Sequence, residues 1–553
     1  MQHPFNLQHS VKHPPHLYDR VLALVLAVRC ARLPAVVGFI LALSAAYLLS
    51  TSRERPWNDG SFVYFTAERI VIDGTTFLPF PAAVTPSGQM QSPHPLLTSL
   101  VHIPGVIVKL LWSQVWHGGD SHLLVLASHL APAVLMAATC WLFLQSCFFL
   151  GIGRFATSLT TILLAFGSII WVYARSPWPP ALETFVFSGL FFSVLRLVRM
   201  PSARCALAAG IWAATLINVR WSFVVSLPAI GLWLAWRLRD DEAGQSYLGT
   251  RALPAVLVGI VLMFLECRWR FGQWTHWWQS LAQEPMRQGL FMGLWGVFLS
   301  PGKSFLVYSP PLILGLFGIS HLWRKGRFDL LALLAVSVAP VLLYLAMLSH
   351  WTGDWCWGPR YCVFLTPALM LPAAFVIDHW LQLRPRVTLV PIALVFCLGL
   401  IVQVLGNSLY WDHYIRVAQQ ARIAWLGVPN RSGASSPIVA GVCDPCFEDI
   451  YPMTWLAPFN PIEGHWWLLQ HVWNGDSAVL AEKDAAWHRY TWVPFVVDES
   501  YSRARIDWWF LNFLPKKPGK GVASLAALIT LCGAGLWLWR RAPDVNPWSK
   551  GRL

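Results

Sequence analysis

The sequence is poor in charge, and poorest in acids. Only 12% of its 553 residues are Asp, Glu, Lys or Arg, whereas about 25% is usual in a soluble domain. A single basic face is also lacking, because the 41 Lys and Arg residues occur in twos and threes between apolar runs, despite a net charge of +14. These shortages exclude a water-soluble globule and argue against nucleic acid as a partner. With 56% hydrophobic residues, they predict a polytopic membrane protein whose basic clusters set its topology.

The sequence also lacks a recognisable secretory signal and a Walker A loop. Residues 1–18 are polar and rich in His and Pro, without the apolar core or cleavage site of a secretory signal. The irregular spacing of the histidines there favours a disordered tail over a metal site. The segment Ser300-Pro-Gly-Lys-Ser lacks the glycine pattern of a Walker A loop, so the sequence does not support ATP chemistry.

Long apolar runs dominate what is present. Residues 33–50 carry no charge and can cross a hydrocarbon core of about 30 Å. Eleven further apolar spans are predicted, near residues 121–143, 155–173, 181–198, 205–219, 221–236, 252–267, 304–323, 329–348, 361–381, 387–405 and 521–539. With about twelve spans, most basic connections share the side of the N-terminus, which is therefore predicted to be cytoplasmic.

Residues 96–112 are apolar but are interrupted by His102, Pro104 and Lys109, which favours a helix on the outer membrane surface. A true span is the alternative, and it would invert everything downstream. The sequence thus predicts an all-α polytopic membrane protein with a cytoplasmic tail (1–32), a transmembrane domain (33–405) whose first outer loop is 51–120, an outer cap region (406–520), and a last span with a basic tail (521–553).

The cap region contains the motif Cys443-Asp-Pro-Cys446. A C-x-x-C pair can be redox-active or form half of a zinc site. Since no second pair lies near it and the outer compartment is oxidising, a local disulfide between Cys443 and Cys446 is favoured.

Three acids are predicted at the outer membrane border. Asp59 follows the first span in Arg55-Pro-Trp-Asn-Asp-Gly60, Glu183 begins a later span, and Asp354 lies in a Trp-rich link. Asn-Asp-Gly is a common turn sequence, so Asp59 can be a turn former or helix cap. Carboxylates that face a cavity at this depth are usually functional, which makes a catalytic base the alternative.

Four basic residues lie in short turns at predicted outer ends of spans: Arg175, Arg220, Lys303 and Arg360. Each can extend to lipid phosphates. Together they can hold a buried phosphate instead. The nearby tryptophans at 351, 355 and 357 fit an aromatic belt, although Trp faces also stack on sugars.

The order of these pieces resembles bacterial members of the GT-C superfamily, the glycosyltransferases that use polyprenyl-phosphate-linked sugars. The resemblance covers about residues 33–410. Its motifs are the acidic first outer loop, Tyr173-Ala-Arg, Val219-Arg, Leu299-Ser-Pro-Gly-Lys-Ser-Phe-Leu-Val-Tyr-Ser-Pro-Pro311 and Trp355-Cys-Trp-Gly-Pro-Arg-Tyr361. It implies a GT-C-like bundle in the bacterial inner membrane, with surface helices and an active site facing the periplasm.

The resemblance also implies roles for residues. Asp59 inherits the part of the base, and Lys303 and Arg220 correspond to basic positions that contact the donor phosphate, with Arg175 and Arg360 as further contacts. Glu183 is the second catalytic candidate, although relatives often carry a Glu where this chain has Pro179-Pro180, one helical turn earlier. The candidates for substrate contact are Tyr308, Asp354 and Trp357.

The implied reaction is an inverting transfer of a sugar, with a pentose such as arabinose as one option, from polyprenyl phosphate to an acceptor hydroxyl. The acceptor can be a membrane lipid, a glycan or a protein such as a pilin. No cofactor is required, and a divalent metal is an open option that no ligand cluster indicates. The alternatives are a flippase or transporter of lipid-linked sugars and a non-catalytic scaffold. A transporter should show mid-span acids and an internal repeat, neither of which is evident.

Overall fold

The computed structural model describes residues 16–52, 56, 59–80, 82–85, 87–115, 121–220, 224–274, 289–348, 351–353, 356–411, 414, 451–455, 457, 460–474, 506–512 and 518–541. Most of these residues are helical, and among them a single hairpin pairs two strands of two residues each, β1 (Ala83–Val84) and β2 (Met90–Gln91). The predicted all-α membrane architecture is confirmed.

The first described element is a long helix that leads into the first loop. This loop holds three shorter helices. The first elements are α1 (His16–Leu49), α2 (Asp59–Asp73), α3 (Leu96–Leu100) and α4 (Ile103–Val115).

The remaining helices comprise those of the bundle and those of the predicted cap region. They are α5 (Ser121–Phe149), α6 (Arg154–Gly167), α7 (Ile170–Ala174), α8 (Pro180–Arg199), α9 (Ala203–Ile217), α10 (Ser226–Arg237), α11 (Glu242–Tyr247), α12 (Leu253–Phe271), α13 (Leu290–Leu299), α14 (Phe305–Tyr308), α15 (Leu312–Arg324), α16 (Phe328–Met347), α17 (Thr366–Leu383), α18 (Pro385–Ser408), α19 (Tyr451–Trp455), α20 (Pro461–Asn474) and α21 (Pro518–Arg541). A π-helical turn (Leu248–Ala252) precedes α12, and 3-10 turns lie at Arg360–Leu365 and Trp509–Asn512.

A helix coincides with each of the twelve predicted spans. Among the described residues, seven helical stretches are long and apolar enough to cross a membrane, and the stretch Leu96–Gln114 is one of them. That stretch is divided between α3 and α4 by a turn at Val101 and His102. Lys109 of α4 forms an ion pair with Glu68 of α2, which ties α4 to its neighbour in the first loop. The position of residues 96–112 on the outer surface stays a prediction.

Small residues let the spans approach one another closely. On α15, Gly315 and Gly318 face backbone carbonyls of α17, so any larger side chain would collide with them. Gly535 of α21 likewise lies against the backbone of α1 at Ala42. Because lipid tails are as apolar as the helices, such close contact is what stabilises helix pairs in a membrane.

The described parts of the predicted cap region pack on the end of the bundle where α1 ends. Gly302 donates from its N–H to the carbonyl of Thr454 in α19 at 3.2 Å. His465 of α20 lies over the ring of Trp357, with 4.6 Å between ring centroids. Trp509 donates from Nε1 to the carbonyl of Leu48 at 2.8 Å. Cys443 and Cys446 lie outside the described residues, and their disulfide stays a prediction.

Candidate active site

Asp59 lies at the start of α2 and forms an ion pair with Arg360, the first residue of the turn Arg360–Leu365. Nη1 of Arg360 lies 2.5 Å from Oδ2 of Asp59. Both side chains are largely buried, at 8% exposed for Arg360 and 16% for Asp59. Asp59 is the first residue of a helix, as the sequence Asn-Asp-Gly suggests. Its carboxylate also forms an ion pair with a residue far away in the sequence.

A second pair of the same kind joins α8 to the segment after α9. Nη1 of Arg220 lies 2.9 Å from Oε1 of Glu183, whose side chain is only 1% exposed. The other carboxylate oxygen of Glu183, Oε2, is buried and has no hydrogen-bond partner among the described residues. A buried carboxylate needs such a cation, because an uncompensated charge at this depth is very costly.

Tyr361 connects the two pairs. The guanidinium carbon of Arg220 lies 4.3 Å from the centre of its ring, and that of Arg360 lies 4.9 Å away. Arg360 also donates from Nη2 to the Tyr361 hydroxyl at 3.1 Å and lies 4.8 Å from the ring centre of Trp178. Two acids and two arginines thus form one group with no net charge, here named the charge cluster: Asp59, Glu183, Arg220 and Arg360.

Neighbouring charges determine the protonation states of Asp59 and Arg220. Burial by itself raises the pKa of the Asp59 carboxyl, but Arg360 and His94 outweigh burial and hold the pKa well below its usual range. Burial likewise opposes the charge on Arg220, but the carboxylate of Glu183 outweighs it and raises the pKa of the guanidinium. Asp59 is therefore ionised at neutral pH. Its pairing contributes stability above its unfolded pKa, and this contribution is lost only as the pH falls through the lower folded value.

The structure adds His94, a residue that the sequence analysis missed. Its Nε2 lies 3.2 Å from Oδ1 of Asp59, the carboxylate oxygen that does not face Arg360. The sequence did contain one local indication of this residue, because His94 stands between Pro93 and Pro95 in the same outer loop as Asp59. A histidine in so rigid a setting is suited to holding a fixed position.

Lys303 is buried beside the turn that precedes Arg360. Its Nζ donates to the carbonyl of Cys356 at 2.6 Å and to that of Gly358 at 3.3 Å. Gly358 has a φ of +61°, which L side chains rarely adopt, and the ring of Tyr308 fills the space where a Cβ would be. Lys303 therefore holds the turn that presents Arg360, and its contact with a donor phosphate stays a prediction.

Lys303→Met should lower stability more than donor affinity. The variant removes the charged donor and leaves two buried carbonyls without it, which should cost about 2–4 kcal/mol of unfolding free energy. Thermal unfolding in detergent and the Kd for polyprenyl phosphate would separate the two roles. A parental melting temperature with a weakened Kd would instead identify Lys303 as a phosphate contact. Lys325→Met, at an exposed helix end, is the matched control and should melt like the parent.

Arg175 pairs with an acid outside the charge cluster. It forms a buried ion pair with Asp507 and also donates to the carbonyl of Asn407. This pair joins the end of α7 to the predicted cap region. Its role as a phosphate contact stays a prediction, and the described contacts show a link between two parts of the chain.

Tyr308 and Trp357 form a buried aromatic pair under the same turn, with 5.1 Å between ring centroids. The Tyr173 hydroxyl donates to the carbonyl of Trp357 at 3.0 Å. Both residues thus support the turn, and their contact with substrate stays a prediction. Asp354 lies outside the described residues. In the part of the chain that the structure describes, no three His, Cys, Asp or Glu side chains come together as a metal site.

Comparison with known proteins gives distant structural similarity. No protein-family model and no curated protein matches the chain. The chain is similar to the crystal structure of ArnT from Cupriavidus metallidurans bound to undecaprenyl phosphate, with 14% identity, a TM-score of 0.40, and coverage of 88% of this chain and 87% of that one. It is also similar to apo ArnT from the same organism, with 14% identity, a TM-score of 0.39, and coverage of 94% and 77%. Because this similarity is distant, a function must be inferred from the residues of the site.

Proposed function

We propose that this protein is an inverting membrane glycosyltransferase. It moves a sugar from a polyprenyl-phosphate donor to an acceptor hydroxyl at the periplasmic face of the inner membrane. One observation carries the proposal: a largely buried carboxylate, Asp59, is held 2.5 Å from Arg360 within a cluster that contains a second arginine. This transfer needs a base that accepts the acceptor proton and cations that bind the donor phosphate, and the cluster contains both.

The chemistry follows from the charges. The acceptor oxygen forms a bond to the anomeric carbon of the sugar, while the bond from that carbon to the phosphate oxygen breaks. The acceptor proton passes to Asp59, and the electron pair leaves on the polyprenyl phosphate, which gains negative charge. Arg360 and Arg220 offset this charge by charge-assisted hydrogen bonds.

Donor binding also activates the base. When the donor phosphate shares the guanidinium of Arg360, that guanidinium holds Asp59 less tightly. The pKa of the carboxyl then rises towards its usual range, which makes Asp59 a better proton acceptor. Proton removal is thereby coupled to the presence of donor, and Glu183 keeps Arg220 in place beside Tyr361 throughout.

The proposal is tested with the purified full-length protein in liposomes. Polyprenyl phosphates carrying labelled pentoses or hexoses should be cleaved, with polyprenyl phosphate released and label found on a lipid, glycan or pilin acceptor. Mass spectrometry should also detect polyprenyl phosphate bound to the protein as purified. Movement of intact donor across the bilayer without cleavage would make the protein a flippase, and failure to bind any such lipid would leave a scaffold.

A further inference from the structure

We propose that Arg270, paired with Glu266, is a positioning residue that holds His94 against Asp59. The inference rests on the proposed function, in which Asp59 is the base. The two residues lie one turn apart near the end of α12, and neither touches Asp59 itself. They act on the segment 91–96, here named the histidine loop, which carries His94.

Arg270 binds the histidine loop through most of its guanidinium. Nη1 donates to the carbonyl of His94 at 2.8 Å, and Nη2 donates to that of Ser92 at 2.6 Å. Nε donates to Oε1 of Gln91 at 3.2 Å. The residue is only 4% exposed. An arginine fork matches several acceptors at once in a fixed geometry, so these bonds define where the backbone of His94 lies.

Glu266 completes the arrangement at the other end of the loop. Its Oε1 accepts from Nη1 of Arg270 at 2.7 Å and from the N–H of Leu96 at 2.6 Å. The carboxylate thus neutralises the buried guanidinium and anchors the residue after Pro95. The histidine loop is tied to α12 on both sides of His94.

The described hydrogen bonds of the pair lead to the histidine loop and not to another helix of the bundle. Leu257, Leu262 and Leu265 on the same helix are about half exposed, as expected for side chains that face lipid. Within the described chain, the hydrogen bonds of Arg270 all go to Glu266 or to residues 91–94. A buried ion pair is costly unless its bonds are satisfied, and here they are satisfied by the histidine loop.

The consequence is a carboxylate with a basic side chain beside each of its two oxygens. Arg360 meets Oδ2 of Asp59, and His94 meets Oδ1 at 3.2 Å. Pro93 and Pro95 restrict the backbone on either side of His94, so the anchored loop gives the imidazole little freedom. A small displacement of such a supporting group reduces the rate strongly, because the base must point at the acceptor proton.

A double-mutant cycle tests this role. Arg270→Gln and His94→Ala should each lower kcat by about tenfold, with little change in donor KM. Adding Arg270→Gln to His94→Ala should change kcat by less than about twofold, because the positioned group is already absent. Additive losses would show that Arg270 supports the fold in general and would overturn the inference. Glu266→Gln, a milder change, should show the same non-additivity.

A readout without any substrate separates this inference from the proposed function. Hydrogen exchange of residues 90–96 should become faster in Arg270→Gln, while Arg268→Gln, an exposed arginine of the same turn that donates to Gly272, should exchange like the parent. Unchanged exchange in Arg270→Gln would overturn the positioning role even if sugar transfer is observed. Faster exchange in a protein that transfers no sugar would uphold the anchoring of the loop and reject the catalytic proposal.

Discussion

Asp59→Asn should transfer sugar at least about a hundredfold more slowly than the parent while still folding and binding the donor. Asparagine keeps the shape of the side chain and can serve the same turn or helix start, but it cannot take the acceptor proton. Because Arg360 loses its counter-ion, polyprenyl phosphate should bind as tightly as in the parent or more tightly. Rates of transfer in liposomes and the Kd for polyprenyl phosphate would measure both effects.

The control for Asp59→Asn is Asp73→Asn at the other end of α2. Asp73 pairs with Arg69 on an exposed surface, with 2.5 Å between Nη1 and Oδ2 and side chains 36% and 39% exposed. Such pairs contribute little, so this variant should match the parent in transfer and melting temperature. Near-parental transfer by Asp59→Asn would remove Asp59 from the reaction.

Arg360→Gln should lose both stability and donor affinity. The variant leaves the largely buried carboxylate of Asp59 without its nearest cation, and breaking a buried pair in this way costs about 3–5 kcal/mol. It also removes a charge-assisted contact to the donor phosphate worth about 1.5–3 kcal/mol, which corresponds to a Kd roughly 10- to 150-fold weaker. Thermal unfolding and titration with polyprenyl phosphate would test the two losses separately.

The double variant Asp59→Asn with Arg360→Gln distinguishes charge from packing. Because both members of the pair become neutral, the melting temperature should recover most of the loss seen in Arg360→Gln alone, while sugar transfer stays at least about a hundredfold slower than in the parent. Arg237→Gln is the matched control, since Arg237 pairs with Asp329 on an exposed surface and should cost less than about 1 kcal/mol. Parental donor affinity in Arg360→Gln would place the phosphate site elsewhere.

The helices could be predicted from the sequence because their cause is local. A helix that crosses lipid satisfies its own backbone groups and needs only a long run without charge. Residues 33–50 meet this condition, as do the runs 121–143 and 387–405, which became α5 and α18. Asp59 could be selected for the same reason, because an acid directly after such a run is visible in the chain itself. Arg220 and Arg360 were selected as basic residues at predicted span ends.

Only the tertiary structure decided how these residues meet. Asp59 and Arg360 are 301 positions apart, and Arg270 reaches the histidine loop across more than 170. The four basic candidates look alike in the sequence, yet Arg220 and Arg360 pair with the two acids, Arg175 pairs with Asp507, and Lys303 binds the carbonyls of a turn. The physical reason is that a buried charge takes its role from the partner that neutralises it, and that partner depends on which helix ends come together when the bundle packs.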